Sequence, residues 1–250
     1  MRRGRILLVL TLLLTAVGAR SESFFDDLNY FARIGYSVGG TIPTSIPRTV
    51  RELSEYNLQA NFTLAVDVQK PLGKRWGVML GLHYENRGMG ADVRVKSQYM
   101  HMIQGGESLE GLFTGHAEVT ADQNLITIPI EVTYEISSKV RVRLGPTISY
   151  VFTQDFHGQA YDGYLRVDDP TGAKVEVGTD DLTRGHYDFS DDLRDLQVAA
   201  LLGFDWQFAG HWGAYTELSW GLNAAFRSHF KTIKQTLYPI YGTIGCIYKL

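Results

Sequence analysis

Glu131 and Glu135, Arg141 and Arg143, and Glu85 and Arg87 stand two residues apart, or two pairs of residues apart, in stretches otherwise rich in apolar side chains. In an extended strand that spacing puts both charges on one face, and Arg33, Asp67, Asp205 and Glu217 hold the same kind of position elsewhere. Confined together, such groups must pair, because breaking one buried pair costs roughly 3 to 5 kcal/mol. The alternative chemistry is a path for protons or ions. Glu135 and Arg141 flank the turn at Ser137 to Lys139 and should face each other across it, with Glu131 diagonal to Arg143. The expectation is a structural plug of paired charges, with a narrow ion channel as its competitor.

Other candidate chemistry is thinner. His83 and Glu85 share a face, but a histidine beside a carboxylate is more often a buried hydrogen-bonded pair than a catalytic dyad. Ser228 and His229 are adjacent, so on a strand they point to opposite faces, and no carboxylate partner can be named. The segment from Thr153 to Arg194 is acidic, with Asp168 and Asp169 at its centre, yet its spacing matches no EF-hand loop. No catalytic residue, cofactor or metal site is expected. Cys246, the single cysteine, has no partner for an internal disulfide and falls on an apolar face, as a small filler.

The elements that position these charges are strands. From Ile126 to Ile136 every second residue is apolar, while Thr127, Glu131, Thr133 and Glu135 alternate with them. Similar alternation marks eight stretches: Tyr30 to Gly39, Leu58 to Gln69, Trp76 to Arg87, Asn124 to Ile136, Val140 to Phe152, Asp195 to Phe208, Trp212 to Phe226, and Leu237 to Leu250. Each is long enough for the roughly 9 to 11 residues that a tilted strand needs to cross a bilayer. Short turns alternate with long loops at 40–57, 88–123, 153–194 and 227–236. This predicts an all-β, eight-stranded antiparallel up-and-down transmembrane β-barrel over residues 30–250. Within the loops, Thr49 to Asn57 is expected as a short helix, Val93 to Lys96 and His116 to Thr120 as continuations of the wall, and Tyr164 to Val177 as a projecting hairpin.

A soluble barrel could share that strand number, so the two faces decide. One face is free of charge; the other gathers the charges with Gly35, Gly77, Gly81, Gly145, Gly203, Gly213, Gly221 and Gly245. Small residues beside charges suit the crowded interior of a narrow barrel, so the apolar face should point outward. Tyr30, Trp76, Phe208, Trp212 and Tyr248 lie at the short-turn end of that face, and Tyr84, Tyr150, Phe152, Phe226 and Tyr238 at the long-loop end, as two headgroup layers favour. Arg2, Arg3 and Arg5, the apolar run from Ile6 to Val17 and small residues to Ala19 read as a signal peptide at 1–19, followed by a short periplasmic lead at 20–29. A formal charge of −3, with no basic stripe, argues against nucleic acid as a partner.

The ending from Thr243 to Leu250, with Gly245, Tyr248 and Leu250 in the key positions, resembles the carboxy-terminal signal read by the barrel assembly machinery, although Leu250 stands where Phe is most frequent. With the signal peptide and eight strands, the chain resembles the small outer-membrane β-barrel proteins of Bacteroidota, the porin-family or PorT-like barrels. The resemblance implies the outer membrane of a Gram-negative bacterium, contact with its lipid, and the barrel assembly machinery as partner during biogenesis. Through PorT it also implies an accessory part in type IX protein secretion. A lipid A-modifying enzyme is the alternative of another class, but the flanks of Ser228 and His229 do not match the deacylase pattern. The expected role is structural or binding: a monomer presenting loops to a surface or secretion-system protein, with no open diffusion pore.

Overall fold

The computed structural model describes residues 27–43, 48–57, 59, 61–228, 230 and 236–250, so the expected signal peptide and most of the lead lie outside the described residues. The strands are β1 (Asn29–Pro43), β2 (Val50–Asn57), β3 (Asn61–Pro71), β4 (Trp76–Gln104), β5 (Glu107–Ser137), β6 (Val140–Val167), β7 (Lys174–Val177), β8 (Gly185–Asp188), β9 (Leu196–Ala209), β10 (Trp212–Gly221) and β11 (Leu237–Lys249). Eight of them close a ring in the order β4, β3, β1, β11, β10, β9, β6, β5 and back to β4. Every pairing in the ring is antiparallel. Closure removes the unpaired edges that an open sheet would expose.

Around the ring the apolar face points outward. Leu64 and Leu202 are exposed, as are Ile34, Val66, Leu80, Leu144 at 59% and Ile244 at 66%. The charged face is inside: Arg33, Asp67, His83, Glu131, Arg143 and Asp205 are all buried. A water-soluble barrel would bury the first set and expose the second.

Above the ring the strands depart from expectation. Residues 88–123 do not form a long loop; β4 and β5 continue together as one hairpin to a two-residue turn at Gly105 and Gly106, with φ of +57° and +87°. Both residues need the left-handed region, which a type I′ turn demands and glycine supplies. The hairpin expected at Tyr164 to Val177 is present, formed by the end of β6 and β7. The segment 50–57 is a strand and not a helix: β2 pairs with β4 directly above β3, at Val50↔Val95 through Asn57↔Gly90. An eight-residue helix is marginal alone, whereas the free edge of β4 offers backbone partners at once.

The expected continuations at Val93 to Lys96 and His116 to Thr120 are part of the β4–β5 hairpin, but the alternation there changes sense. In the ring apolar residues face out, but above it Val95, Met100, Met102, Phe113, Ala117 and Leu165 face in and are buried. Strand β8 pairs with β6 over Gly185 to Asp188 and touches β4 at Ile103↔His186. With the β4–β5 and β5–β6 pairings, this contact closes a second, four-stranded ring around a dry core. The long side of the barrel is thus a tower with its own hydrophobic interior.

Candidate functional site

Inside the ring Phe31, Met79, Tyr215 and Ile247 form an apolar cluster, with Tyr215 paired to Asp205 and Met79 to Glu131. The Arg141 guanidinium sits 4.6 Å from the Phe31 ring centre, and that of Arg33 5.0 Å from Tyr215. Among these apolar side chains runs one connected set of charges. His83 Nε2 lies 2.8 Å from Asp67, whose other oxygen accepts from Arg33 Nε at 2.5 Å. Arg33 then donates to both oxygens of Asp205, at 2.7 and 3.0 Å. Asp205 in turn accepts from Arg143 Nε at 3.0 Å.

Arg143 is the hub. Its Nη1 donates to both oxygens of Glu131 at 2.8 and 3.0 Å, and its Nη2 to Glu217 at 2.5 Å. One planar fork therefore makes four hydrogen bonds to three carboxylates, one more than the three donors of a lysine could supply. Glycines on the facing strands make the room: a Cβ at Gly203 would lie 2.6 Å from Arg143 Nη2, and one at Gly81 2.2 Å from an Asp67 oxygen. Glu85 binds Arg87 rather than His83, at 2.6 Å, so the expected His83–Glu85 pair is replaced by His83–Asp67. Glu135 does meet Arg141 across the turn, but at 3.4 Å and with 39% of its side chain exposed. It is a rim contact, not the centre of the network.

The aromatic residues divide similarly. Tyr30, Trp76, Phe208 and Trp212 are exposed at the short-turn end, where Trp212 meets Tyr248 at 4.8 Å. Tyr150 and Phe152 are exposed at the other end, with Tyr84 beside Phe152 at 6.2 Å and Tyr238 half-buried. Phe226 does not belong to that girdle. Strand β10 ends at Gly221, the chain turns inward, and Phe226 is buried against Phe156 and Phe230 at 5.1 and 4.6 Å. Gly245 faces the interior, where a Cβ would meet the Ile34 carbonyl at 2.1 Å; Tyr248 is half-buried and Leu250 exposed.

Outside the ring the tower is acidic: residues 88–122 and 153–195 hold sixteen Asp and Glu against six Lys and Arg. Two clusters on its outer wall were not evident in the sequence. Asp92 accepts from the Tyr161 hydroxyl and from His116, whose ring stacks on Tyr161. The hydrogen bond to Asp92, helped by partial burial, pushes the Tyr161 phenol up to about 12. Asp155 binds His157 Nδ1 at 2.9 Å and accepts from the Ser190 hydroxyl at 3.1 Å. Its carboxyl is held below the usual range, chiefly by His157. Serine, aspartate and histidine meet here, but the hydroxyl faces the two carboxylates Asp155 and Asp188 and not the imidazole. The hydroxyl therefore lacks the imidazole that stands between serine and carboxylate in a Ser-His-Asp arrangement. Ser190 lies 35 residues from Asp155, so spacing gave no signal. Ser228 is exposed, and His229 lies outside the described residues.

A closed antiparallel ring with a lipid-facing apolar belt and a polar, filled interior defines a transmembrane β-barrel. The family described as outer membrane protein beta-barrel domain matches residues 20–227, and the chain belongs to it. The protein is therefore an outer-membrane β-barrel protein. No curated protein matches the chain. Among solved structures it is similar to Ail, the attachment invasion locus protein of Yersinia pestis, at 11% identity over 89% of this chain and 99% of that one, with a TM-score of 0.39. It is also similar to the translocator domain of the autotransporter NalP from Neisseria meningitidis, at 14% identity, 99% and 98% coverage and a TM-score of 0.26. The toluene transporter TbuX of Ralstonia pickettii follows at 6% identity, 89% coverage of both chains and a TM-score of 0.22.

Proposed function

We propose that this barrel is a sealed membrane anchor for a rigid acidic tower, and that the tower docks a cationic macromolecule at the cell surface. The observation that carries the reading is the stack of a charge-filled lumen beneath a dry cap. Arg143 and its three carboxylates occupy the barrel centre, and Met102, Phe113, Phe156, Leu165 and Leu193 fill the space above. A solute would have to break both layers to pass. Binding surfaces gain affinity when they are ordered before the partner arrives, and a closed four-stranded ring supplies that order. On the outer wall the Ser190 hydroxyl meets no imidazole and the Tyr161 phenol is held protonated by Asp92, which supports a non-enzymatic role.

The test has two arms. The full-length protein in planar bilayers should show no stepwise conductance, and mild crosslinking in native membranes should recover a partner that is lost when residues 96–112 are replaced by a short glycine turn. Steady single-channel currents, or recovery unaffected by the shortened tower, would overturn the reading. Recovery of secretion-machinery components would support the accessory secretion role.

A further inference from the structure

The short-turn end carries a one-sided basic sector. The β3–β4 turn supplies Lys74 and Arg75, the β5–β6 turn supplies Lys139, and all three are exposed. The turns lie side by side, since the Glu135 amide donates to the Arg75 carbonyl at 2.8 Å. Lys70, at the end of β3, flanks them. Across 70–76 and 134–141 the single carboxylate is Glu135, and it is already bound to Arg141. The other turn at this end, Ala209 to His211, has no lysine or arginine, and Lys249 beside it, at the end of β11, is half-buried.

These cations stand at the height of the lower aromatic girdle. Arg75 Nη1 donates to the Tyr134 hydroxyl at 3.2 Å, and the Tyr134 ring lies 4.7 Å from Trp76. Leu72, in the same turn, is 61% exposed. Cations beside interfacial aromatics and an exposed leucine fit a headgroup layer better than open periplasm. In such barrels the short turns face the periplasm. The upper girdle differs: it carries the amides of Asn86 and Asn124, 3.1 Å apart, and the ion pair Arg227–Asp195.

We propose that the sector of Lys74, Arg75 and Lys139 binds the phosphate headgroups of anionic phospholipid in the periplasmic leaflet, fixing the barrel's orientation about its axis. The inference rests on the membrane barrel, not on the tower's docking role, and its test leaves the tower intact.

The full-length protein is reconstituted in phosphatidylcholine vesicles containing a minor share of phosphatidylglycerol, and co-purifying lipid is weighed by native mass spectrometry. Phosphatidylglycerol should be enriched around the wild type. The triple variant Lys74→Gln, Arg75→Gln, Lys139→Gln should lose at least about fivefold of that preference, the effect of a single cation at an anionic surface. Its heat-modifiable gel shift reports that it still folds. The variant Arg94→Gln, Lys96→Gln removes two cations from the tower and should keep the preference. Equal enrichment in wild type and triple variant, or loss in the tower variant, overturns the proposal. So does absence of enrichment in the wild type together with salt-sensitive binding to peptidoglycan, which would assign the sector to that polymer.

Discussion

Arg143 meets three buried carboxylates, Asp205, Glu131 and Glu217, which makes it the hub of the lumen network. Arg143→Ala should destabilise the folded barrel by roughly 3 to 5 kcal/mol, the cost of leaving buried charge unpaired; the readout is the temperature at which its gel shift is lost. Glu135→Ala, at a half-open rim contact, should cost no more than about 1 kcal/mol. Equal effects of the two changes would contradict the placement of the hub. On the tower wall, the Tyr161 phenol sits above its ordinary 10, at about 12. The folded state therefore favours the protonated ring: this stabilisation is complete below pH 10 and is lost as pH rises through about 12. The ultraviolet difference titration between wild type and Tyr161→Phe should place the missing phenol near that value, and a midpoint near 10 would remove Asp92 as its holder.

At the scale of elements, two seams set the architecture. The first joins β1 to β11, where Gly35 and Gly245 are direct partners and a Cβ on Gly245 would lie 2.1 Å from the Ile34 carbonyl. Gly245→Val should lower the yield of folded barrel even when purified chain refolds in detergent without assembly machinery. Normal refolding with failed assembly in cells would make the glycine a recognition signal alone. The second seam is the tower's closure around Phe113, which is fully buried. Phe113→Ala should cost the tower about 3 to 5 kcal/mol, and added protease should then cut within 88–122 or 153–195 while the barrel's gel shift stays in place. Simultaneous loss of both would mean that tower and barrel unfold as one unit.

Across the whole molecule the two ends carry opposite charge, sixteen carboxylates against six cations in the tower and a cluster of lysine and arginine at the short turns. A long-range field of this kind steers partners by sign. Proteoliposomes of neutral phosphatidylcholine with the tower outward should retain polylysine at low salt and release it toward about 1 M, where the Debye length shrinks to about 3 Å. Retention indifferent to salt would count against docking led by charge.

What could be read directly from the residues was the wall of the barrel. Its period-two alternation, the glycines among the charges of one face and the charge-free opposite face fix which side meets lipid, because a one-residue slip would send every charge into the bilayer. Glu135 and Arg141 were placed opposite each other by the turn between them, a local relation. The assignments that needed three dimensions involve distant segments. Arg143 finds Asp205 and Glu217 at separations of 62 and 74 residues, which no spacing reveals. Phe226 fits a girdle by position but leaves the wall after Gly221, and the tower shows in the sequence only as short strand pieces and one hairpin because its apolar face turns inward. Sequence sets the period of a strand; which side is dry depends on what the rest of the chain folds against it.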